Sequence, residues 1–251
     1  MKALTETELR RILMDRTVPA WTVPAGVVPT PAALDFLKER NIKVVWEEPG
    51  VGARDGMFKP LPPGTFMGPG GEVLDHKPEG LTHLNGRRLV PKNHPVIIWR
   101  GRLDSLCAKI ISAQHLGVEA GREDFTTELE EILNFVRALL PAELRGEKVP
   151  EFKLAGLDAQ AVRERSHNPV KYFGHRHLKA SWRMGRLSTA LNELRSEVRQ
   201  VELAAAAAFQ DEFGRSDRDD VIMALNRLSS LFYVLMFKYL PPGFTPEHSG
   251  I

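Results

Sequence analysis

Two segments near the C-terminal end of the chain restrict its fold most strongly, because each carries apolar side chains at helical spacing along its whole length. The first reads LNELRSEVRQVELAAAAAF (191–209) and the second reads ALNRLSSLFYVLM (224–236). Apolar residues that recur every three or four positions predict amphipathic helices that pack against other helices. Gly214 follows the first segment and Pro241-Pro242 follows the second, and such residues commonly end helices. We therefore expect two long, packed helices here.

Each of these predicted helices also carries polar side chains beside its apolar stripe. Two trios have the spacing i, i+4 and i+7, which places each trio on one helical face: Arg195, Arg199 and Glu202, and Asn226, Ser230 and Tyr233. A surface ladder of ion pairs would explain the first trio, at a few tenths of a kcal/mol per pair. The arginines lie next to the apolar stripe, however, and not opposite it. Because arginine makes bidentate contacts to phosphate oxygens, we favour a phosphate-bearing ligand at a helix–helix or subunit seam.

The composition narrows the class of protein. Hydrophobic residues make up 43% of the chain, charged residues 26%, and the formal net charge is +2, so there is no general electrostatic case for nucleic acid. A single cysteine, Cys107, excludes an internal disulfide and a multi-cysteine metal site within one chain. The charged N-terminal segment does not have the pattern of a secretory signal, and no run approaches the roughly 20 apolar residues that span a bilayer. We expect a cytoplasmic protein without membrane or nucleic-acid partners.

Residues 1–80 differ from the rest, since they hold 10 of the 18 prolines. The segment TPAALDFLKERNIKVVW (30–46) predicts a helix capped by Thr30 and then a strand. Residues 50–73 are too rich in glycine and proline for regular structure and predict a long loop. We therefore predict an N-terminal extension and linker over residues 1–75, with small α/β or irregular structure.

From residue 76 onward the pattern becomes helical. The apolar spacing and the residues that typically start and stop helices predict five helices, one of them short. They are Pro95–His115, Phe125–Leu140 ended by Pro141, a short helix from Asp158, Arg186–Phe213 and Asp217–Leu240. The predicted fold of residues 76–251 is all-α, a five-helix bundle.

The entry to the helical region has features of a phosphate site. It begins with a Gly-x-Thr turn, Gly80 to Thr82, and five basic residues follow: Arg87, Arg88, Lys92, Arg100 and Arg102. The turn alone is a weak signal, and Lys92 strengthens it. Asp104 lies near the start of an apolar helix, where it would cap the helix, interact with the helix dipole or meet an arginine.

The order of these motifs resembles a known enzyme family. Gly-x-Thr, VPKNHP, GRLDSL, the arginine–glutamate helix and LNRLSSLFYVL follow one another as in the ATP:corrinoid adenosyltransferases of the propanediol-utilisation (PduO) type. The stretches THLNGRRLVPK, RSHNPVKYFGHRHL (165–178) and ALNRLSS are similar to the ethanolamine-utilisation branch, EutT. The resemblance covers about residues 80–240 well and the N-terminal part loosely.

This resemblance implies a reaction and an assembly. The family folds as a five-helix bundle and transfers the 5′-deoxyadenosyl group of ATP to cob(I)alamin, releasing inorganic polyphosphate. A homo-oligomer with sites between subunits is expected; a trimer is favoured and a dimer stays open. ATP, cobalamin and Mg²⁺ are the implied ligands. A flavodoxin-type reductase and ethanolamine ammonia-lyase are the implied partners, in the cytoplasm or within a bacterial microcompartment.

The resemblance also implies roles for individual residues. The implied ATP-binding residues are Gly80, Thr82, His83, Lys92, Arg199, Glu202 and Asn226, of which the last three are the implied catalytic residues. The implied cobalamin-binding residues, which include those that would displace the lower cobalt ligand, are Phe173, His175, His177, Leu178 and Trp182. Asp104 would pair with Arg195 across the subunit interface. The aromatic residues Phe232, Tyr233, Phe237 and Tyr239 are taken as core or oligomer seam.

The sequence departs from the family pattern in two places. The EutT branch often has a metal-binding cysteine motif before the Thr-His-Leu turn, but residues 64–80 contain no cysteine, so we expect no structural Fe or Zn site. The PduO branch usually has an arginine after the glutamate, where this chain has Leu203. The histidine groups are more typical of solvated loops than of a metal site. A non-catalytic helical interaction protein of a microcompartment stays open as the alternative.

Overall fold

A computed structural model of the chain describes residues 2–13, 18–23, 27–46, 64–211 and 213–245. The chain divides into two compact units, Met1–His94 and Pro95–Ile251. The sequence predicts that the helical domain begins at residue 76. The predicted boundary and the structural boundary therefore differ by the strands just before Pro95. The domain boundary itself stays a prediction.

The first part of the N-terminal unit is a small α/β structure. Its elements are β1 (Lys2–Leu4), α1 (Glu6–Leu13), β2 (Ala20–Val23), β3 (Val27–Pro29), α2 (Pro31–Glu39) and β4 (Lys43–Trp46). β1 pairs with β3 and β2 pairs with β4, both in parallel. Helix α2 begins as predicted, because the Thr30 side chain accepts a hydrogen bond from the Ala33 backbone N–H at 3.2 Å. Leu9, Trp21 and Leu37 are among the side chains buried between these elements.

A four-stranded sheet follows in the same unit. It contains β5 (Phe66–Met67), β6 (Val73–Leu74), β7 (Leu81–Asn85) and β8 (Arg88–Pro91), in the order β6-β5-β8-β7. The long loop predicted over residues 50–73 is therefore wrong for β5 and the start of β6, which form because they pair with each other and with β8. The part of that prediction on residues 50–63 lies outside the described residues.

The second unit is a helical bundle. Its helices are α3 (Pro95–Glu119), α4 (Glu123–Arg145), α5 (Ala159–His167), α6 (Pro169–Phe173), α7 (Gly185–Phe209) and α8 (Asp219–Lys238). The strands β9 (Lys153–Leu154) and β10 (Leu157–Asp158) form a small hairpin before α5, and a 3-10 turn spans Trp182–Met184. The five predicted helices correspond to α3, α4, α5, α7 and α8, which confirms the fold class. The single-turn helix α6 was not predicted.

Helix α4 continues through Pro141, where the sequence analysis ended it. A proline inside a helix removes one backbone hydrogen bond and usually kinks the helix. Here Leu139 and Ala142 are buried on either side of it, so packing maintains the helix across the proline. The helix ends instead at Gly146, which takes the left-handed conformation with φ of 65°.

Helix α7 lies between α3 and α8 and forms the centre of the bundle. Leu194, Val198 and Val201 on α7 are buried against the apolar side chains of its neighbours. Lys109 of α3 donates to Glu197 of α7 at 2.8 Å and ties these two helices together. Within the described part of the chain, α8 alone is long and apolar enough to cross a membrane, but 56% of that stretch is buried inside the protein, as in the core helix of a bundle.

Candidate functional site

The two predicted polar trios lie along the groove between α7 and α8, which we call the α7–α8 groove. At one point the trios make direct contact, because Asn226 Nδ2 donates to Glu202 Oε1 at 3.0 Å. Arg227 Nη1 donates to Asn226 Oδ1 at 3.2 Å and holds the other side of the same amide. The seam expected from the helical spacing therefore exists, and it orients Asn226 before any ligand is bound.

The two arginines of the groove have no acidic partner among the residues that the structure describes. Arg195 is half-buried and donates from Nε and Nη2 to Asn192 Oδ1, at 3.2 and 3.0 Å. Burial, together with the positive charge of Arg199, lowers the pKa of Arg195. Arg199 is exposed and makes no hydrogen bond in the same described part. Two neighbouring positive charges without a carboxylate form a site that an anion would stabilise.

A cavity of about 310 Å³ opens beside Arg195. Its walls combine α7, α8 and the segment before the 3-10 turn: His177, Leu178, Ala180, Asn192, Arg195, Tyr233 and Met236. The cavity therefore joins Arg195, predicted for the subunit interface, to two of the residues predicted for cobalamin. Polar and apolar walls meet here, as they do in many small-molecule sites.

Residues 173–178, which we call the aromatic loop, pack along α8. Phe173 stacks on Phe237 with ring centroids 4.4 Å apart and planes 8° apart. His175 lies near the same ring, at 6.5 Å. At the other end of the loop, His177 Nδ1 lies 3.0 Å from Tyr233 Oη, and the Leu178 backbone N–H donates to this oxygen at 3.1 Å. The structure thus gathers four of the five predicted cobalamin residues on one stretch of α8.

Trp182 is the fifth of these predicted residues, and the structure does not bring it to the cavity wall. It begins the 3-10 turn, its side chain is 80% exposed, and the Arg183 guanidinium lies 5.4 Å from its ring centroid. An exposed tryptophan next to a site is compatible with contact to a ligand or to a second subunit. Its assignment to cobalamin stays a prediction.

Asp104 and Arg195 do not pair within one chain. Asp104 is exposed on α3, and no ion pair joins it to any other described residue. The predicted pair across a subunit interface therefore stays a prediction. Cys107, one turn along α3, is partly exposed and packs against the core, where burial raises the pKa of its thiol.

The Gly-x-Thr turn belongs to the N-terminal unit, where it begins the β7–β8 hairpin. Gly80 C=O accepts from the Lys92 backbone N–H at 3.3 Å, and His83 Nδ1 lies 3.1 Å from Gly86 C=O. Thr82 pairs with Val90 across the hairpin. A Cβ at Gly80 would meet no atom within 4 Å, so crowding within the fold does not require glycine here. The assignment of Gly80, Thr82, His83 and Lys92 to ATP stays a prediction.

Some residues of the site were not identified from the sequence. Asn192, which holds Arg195, lies at i−3 from it, so its helical spacing could have revealed it. Arg227 and Met236 gave no such signal. Tyr233 was taken as core or seam, but only Phe232, Phe237 and Tyr239 of that group are buried, while Tyr233 lines the cavity. Leu203, where the PduO pattern has an arginine, is 64% exposed.

Metal-binding residues are not clustered in the described ranges. No group of three or more His, Cys, Asp or Glu side chains there is arranged to hold a metal ion. Several charged side chains of the bundle form carboxylate–cation pairs, such as Arg100 with Glu143 at 2.8 Å. The candidate site is therefore the α7–α8 groove with its cavity and the aromatic loop.

Comparison with known proteins gives a matching family model, curated relatives and a solved structure. The family model described as cobalamin adenosyltransferase matches residues 73–239. Among curated proteins, the corrinoid adenosyltransferase EutT of Escherichia coli K12 is 30% identical over 226 residues, which cover 85% of this chain and 83% of that protein. The EutT protein of Salmonella typhimurium LT2 is 29% identical with the same coverage.

A solved structure matches the fold. A variant of a PduO-type ATP:co(I)rrinoid adenosyltransferase from Lactobacillus reuteri, solved in complex with ATP, superposes with a TM-score of 0.50 and 18% identity. The match covers 63% of this chain and 88% of that chain. At this identity the likeness concerns the helical fold alone.

Proposed function

The chain belongs to the cobalamin adenosyltransferase family, and from this premise we propose that it transfers the 5′-deoxyadenosyl group of ATP to cob(I)alamin. It is a corrinoid adenosyltransferase by its match to the family and to named EutT enzymes. These matches are to enzymes over most of the chain, so the alternative of a non-catalytic interaction protein is not favoured. The proposal also assigns individual residues to each substrate, names Mg²⁺ as the cation, and suggests a biological setting.

The observation that carries the ATP assignment is Arg199, an exposed arginine of α7 that makes no ion pair with a described carboxylate. Arg195 lies one helical turn before it and lines the cavity, and its own proposed partner is Asp104 of another subunit. A triphosphate supplies the missing negative charge and accepts bidentate hydrogen bonds from guanidinium groups. Glu202 and Asn226, joined at 3.0 Å, are proposed to hold the ribose or base of the same nucleotide.

Mg²⁺ is the proposed counter-ion of the triphosphate. The groove contains one carboxylate, Glu202, with one oxygen bonded to Asn226, so its second oxygen suits a hydrated cation held mainly by phosphate. Bound there, Mg²⁺ would neutralise charge on the triphosphate. The arginines and Glu202 would orient the nucleotide around it.

The corrinoid is proposed to bind against the aromatic loop. Phe173 stacked on Phe237 forms an aromatic surface, and the His177–Tyr233 contact lies at the other end of the same loop. Such a surface can displace the lower ligand of cobalt and exclude water, which leaves four-coordinate Co(II) that is reduced more easily. His175 and Leu178 lie on the same loop, and Trp182 follows it in the chain.

The reaction then follows from positioning and charge. The electron pair of Co(I) attacks C5′ of ATP in line, the Co–C bond forms and the C5′–O bond breaks, and the triphosphate leaves with both electrons of that bond. The side chains of this protein supply orientation, water exclusion and positive charge on the leaving group. No general base is needed, because no proton is transferred at the reacting carbon.

The biological setting is proposed from the resemblance to the EutT enzymes. It includes release of inorganic polyphosphate, supply of adenosylcobalamin to ethanolamine ammonia-lyase, a flavodoxin-type reductase as electron donor, and a cytoplasmic or microcompartment location. A homo-oligomer, with the trimer favoured over the dimer, would bring Asp104 of one subunit to Arg195 of the next.

The decisive experiment is a Co–C bond assay. Chemically reduced cob(I)alamin is mixed with the protein, ATP and Mg²⁺, and the Co(I) absorbance is followed with time. We expect the absorbance to fall only when ATP and protein are both present, with adenosylcobalamin as the product. Reactions without ATP and without protein are the controls. A stable Co(I) absorbance in the complete mixture would contradict the proposed function.

A further inference from the structure

The hydroxyl of Tyr233 joins α8 to the aromatic loop at two points. It accepts a hydrogen bond from the Leu178 backbone N–H at 3.1 Å and lies 3.0 Å from His177 Nδ1. The two rings are nearly parallel, with centroids 6.0 Å apart and planes 22° apart. One phenol oxygen therefore holds both the backbone and the histidine side chain of the loop.

These two contacts are the polar attachment of this end of the loop. In the described stretch 174–180, they are the only hydrogen bonds to α8. The other contacts are aromatic or apolar: Phe173 stacks on Phe237 at 4.4 Å, His175 lies 6.5 Å from the same ring, and Leu178 packs against the core. Removing the Tyr233 hydroxyl would therefore remove the polar attachment of His177 and leave the apolar contacts of the loop in place.

The Tyr233 hydroxyl engages one of the two ring nitrogens of His177. Its oxygen accepts from Leu178 N–H, and the direction of the hydrogen bond with His177 Nδ1 depends on the histidine tautomer. In either direction Nδ1 is bonded to the hydroxyl, so Nε2 is the ring nitrogen that remains to face a ligand.

Tyr233 also lies next to the nucleotide side of the groove. Arg195 lines the same cavity. Burial raises the pKa of the Tyr233 hydroxyl, and the positive charge of Arg195 partly opposes this increase. Asn226 and Ser230 precede Tyr233 on the same face of α8. The residue is thus placed where the proposed ATP grip and the aromatic loop meet.

We propose that Tyr233 is a positioning residue for the corrinoid, whose hydroxyl fixes the aromatic loop and orients the His177 ring so that Nε2 faces the ligand. This inference rests on the proposed function, because it concerns how the second substrate is held. Tyr233 acts through His177 and Leu178 and takes no part in bond making.

The test is Tyr233→Phe, which removes the hydroxyl and keeps the ring contacts with Phe237 and His177. We expect the KM for cob(I)alamin to rise about tenfold, equivalent to about 1.4 kcal/mol, with the KM for ATP unchanged. Equilibrium titration with cob(II)alamin in the presence of ATP, followed by visible absorbance, should show a matching loss of affinity and a smaller four-coordinate fraction.

Tyr239→Phe is the matched control. It also removes a hydroxyl near the C-terminal end of α8 that has two partners, Glu128 at 2.7 Å and Asp124 at 3.2 Å, but it lies outside the cavity and the loop. Both KM values should stay at the wild-type level in this variant. A merely structural role of Tyr233 would make the two variants alike.

His177→Ala provides the second test. It should raise the KM for cob(I)alamin as Tyr233→Phe does, and the double variant should raise it by less than the product of the two single effects, because the residues act as one unit. Wild-type corrinoid affinity in Tyr233→Phe, or an equal rise in both KM values, would overturn the inference. If wild-type protein formed no Co–C bond, the proposed function would fail, while the cob(II)alamin titration would still test Tyr233.

Discussion

The α7–α8 groove and a charged cluster at the C-terminal end of α8 contain similar side chains and differ in how their charges are paired. We call the second group the paired cluster; its members are Arg122, Asp124, Glu128, Lys238 and Tyr239. There Arg122 bonds to Asp124 at 2.9 Å and Lys238 to Glu128 at 2.7 Å. In the groove, neither Arg195 nor Arg199 makes an ion pair with a carboxylate of the described residues, and Glu202 bonds to Asn226 instead.

From this difference we infer that the paired side chains stabilise the fold and that the side chains of the groove bind a ligand. In the paired cluster each charge is cancelled by a neighbour and the Tyr239 hydroxyl donates to a carboxylate, so nothing is left for a further molecule to satisfy. In the groove, half-buried Arg195 has only a neutral amide, and Arg199 adds to its positive potential. A side chain kept partly buried at such a cost is more useful for binding than for stability.

The largest effect should come from the groove. Arg199→Ala removes a charge that has no partner in the described structure and that we assign to the triphosphate. We expect kcat/KM for ATP to fall about 100-fold, as for loss of a charge-assisted contact of roughly 2.7 kcal/mol. The far-UV circular dichroism spectrum and the free energy of unfolding should stay unchanged. The measurement is the Co(I) absorbance assay at varied ATP.

Lys238→Met is the matched control for this variant, since it removes a cation of the paired cluster and should leave kcat/KM for ATP unchanged. A thermal shift gives an independent check, because ATP at 100 times its Kd should stabilise wild-type protein by roughly 2.7 kcal/mol. Full activity of Arg199→Ala, or an undiminished thermal shift with ATP, would remove this residue from the site.

A substitution in the paired cluster should lower the stability of the fold and leave ligand binding unchanged. Glu128→Gln replaces the carboxylate that accepts from both Lys238 and Tyr239 with a neutral amide. We expect the free energy of unfolding to fall by about 1–2 kcal/mol, because charge-assisted hydrogen bonds become neutral ones. Chemical denaturation measures the change. The comparison would break down if Glu128→Gln lowered the affinity for ATP or cobalamin while leaving stability intact.

The smallest effect concerns how the stability of the fold depends on pH. Because Arg122 donates to its carboxylate, the pKa of Asp124 lies well below its usual range. Such a group stabilises the fold fully above the unfolded pKa of about 4 and loses this contribution as the pH falls toward its folded pKa. Both side chains are largely exposed, so solvent screens the effect. Asp124→Asn should make stability slightly less dependent on pH between 7 and 3.

Urea denaturation at several pH values would measure this dependence. The same curves should be insensitive to Arg195→Met over this range, because a guanidinium stays charged throughout it. Identical acid sensitivity of wild-type protein and Asp124→Asn would contradict the assigned role of the ion pair.

Much of the bundle could be predicted because its information is local. The apolar stripes of α7 and α8 and the cap at Thr30 depend on residues within a turn or two. The short strands β5 and β6 could not be predicted, since two-residue strands form only through pairing with distant residues. Pro141 is a similar case, because packing on both sides keeps α4 intact where the local rule ends it.

The candidate site likewise has one part that helical spacing predicts and another part that depends on distant residues. Arg195, Arg199, Glu202 and Asn226 could be placed on facing stripes from helical spacing alone, and the Glu202–Asn226 contact confirms that those two meet. The anchoring of the aromatic loop depends on Tyr233, which is 56 positions from His177. Helical spacing placed Tyr233 on one face with Asn226 and Ser230, but no periodicity within either segment predicts its contact with His177.

The shared face of α8 has a geometric consequence for the two substrates. Asn226 lies on the side that we propose for the nucleotide and Tyr233 holds the aromatic loop, and seven residues of helix separate them by about 10.5 Å along the axis. The helix therefore acts as a spacer of fixed length and fixed rotation between the two halves of the site. One residue inserted between them would lengthen the spacer by about 1.5 Å and turn the loop anchor by about 100° away from the amide. The length of this segment is thus as much a part of the site as the side chains at its ends.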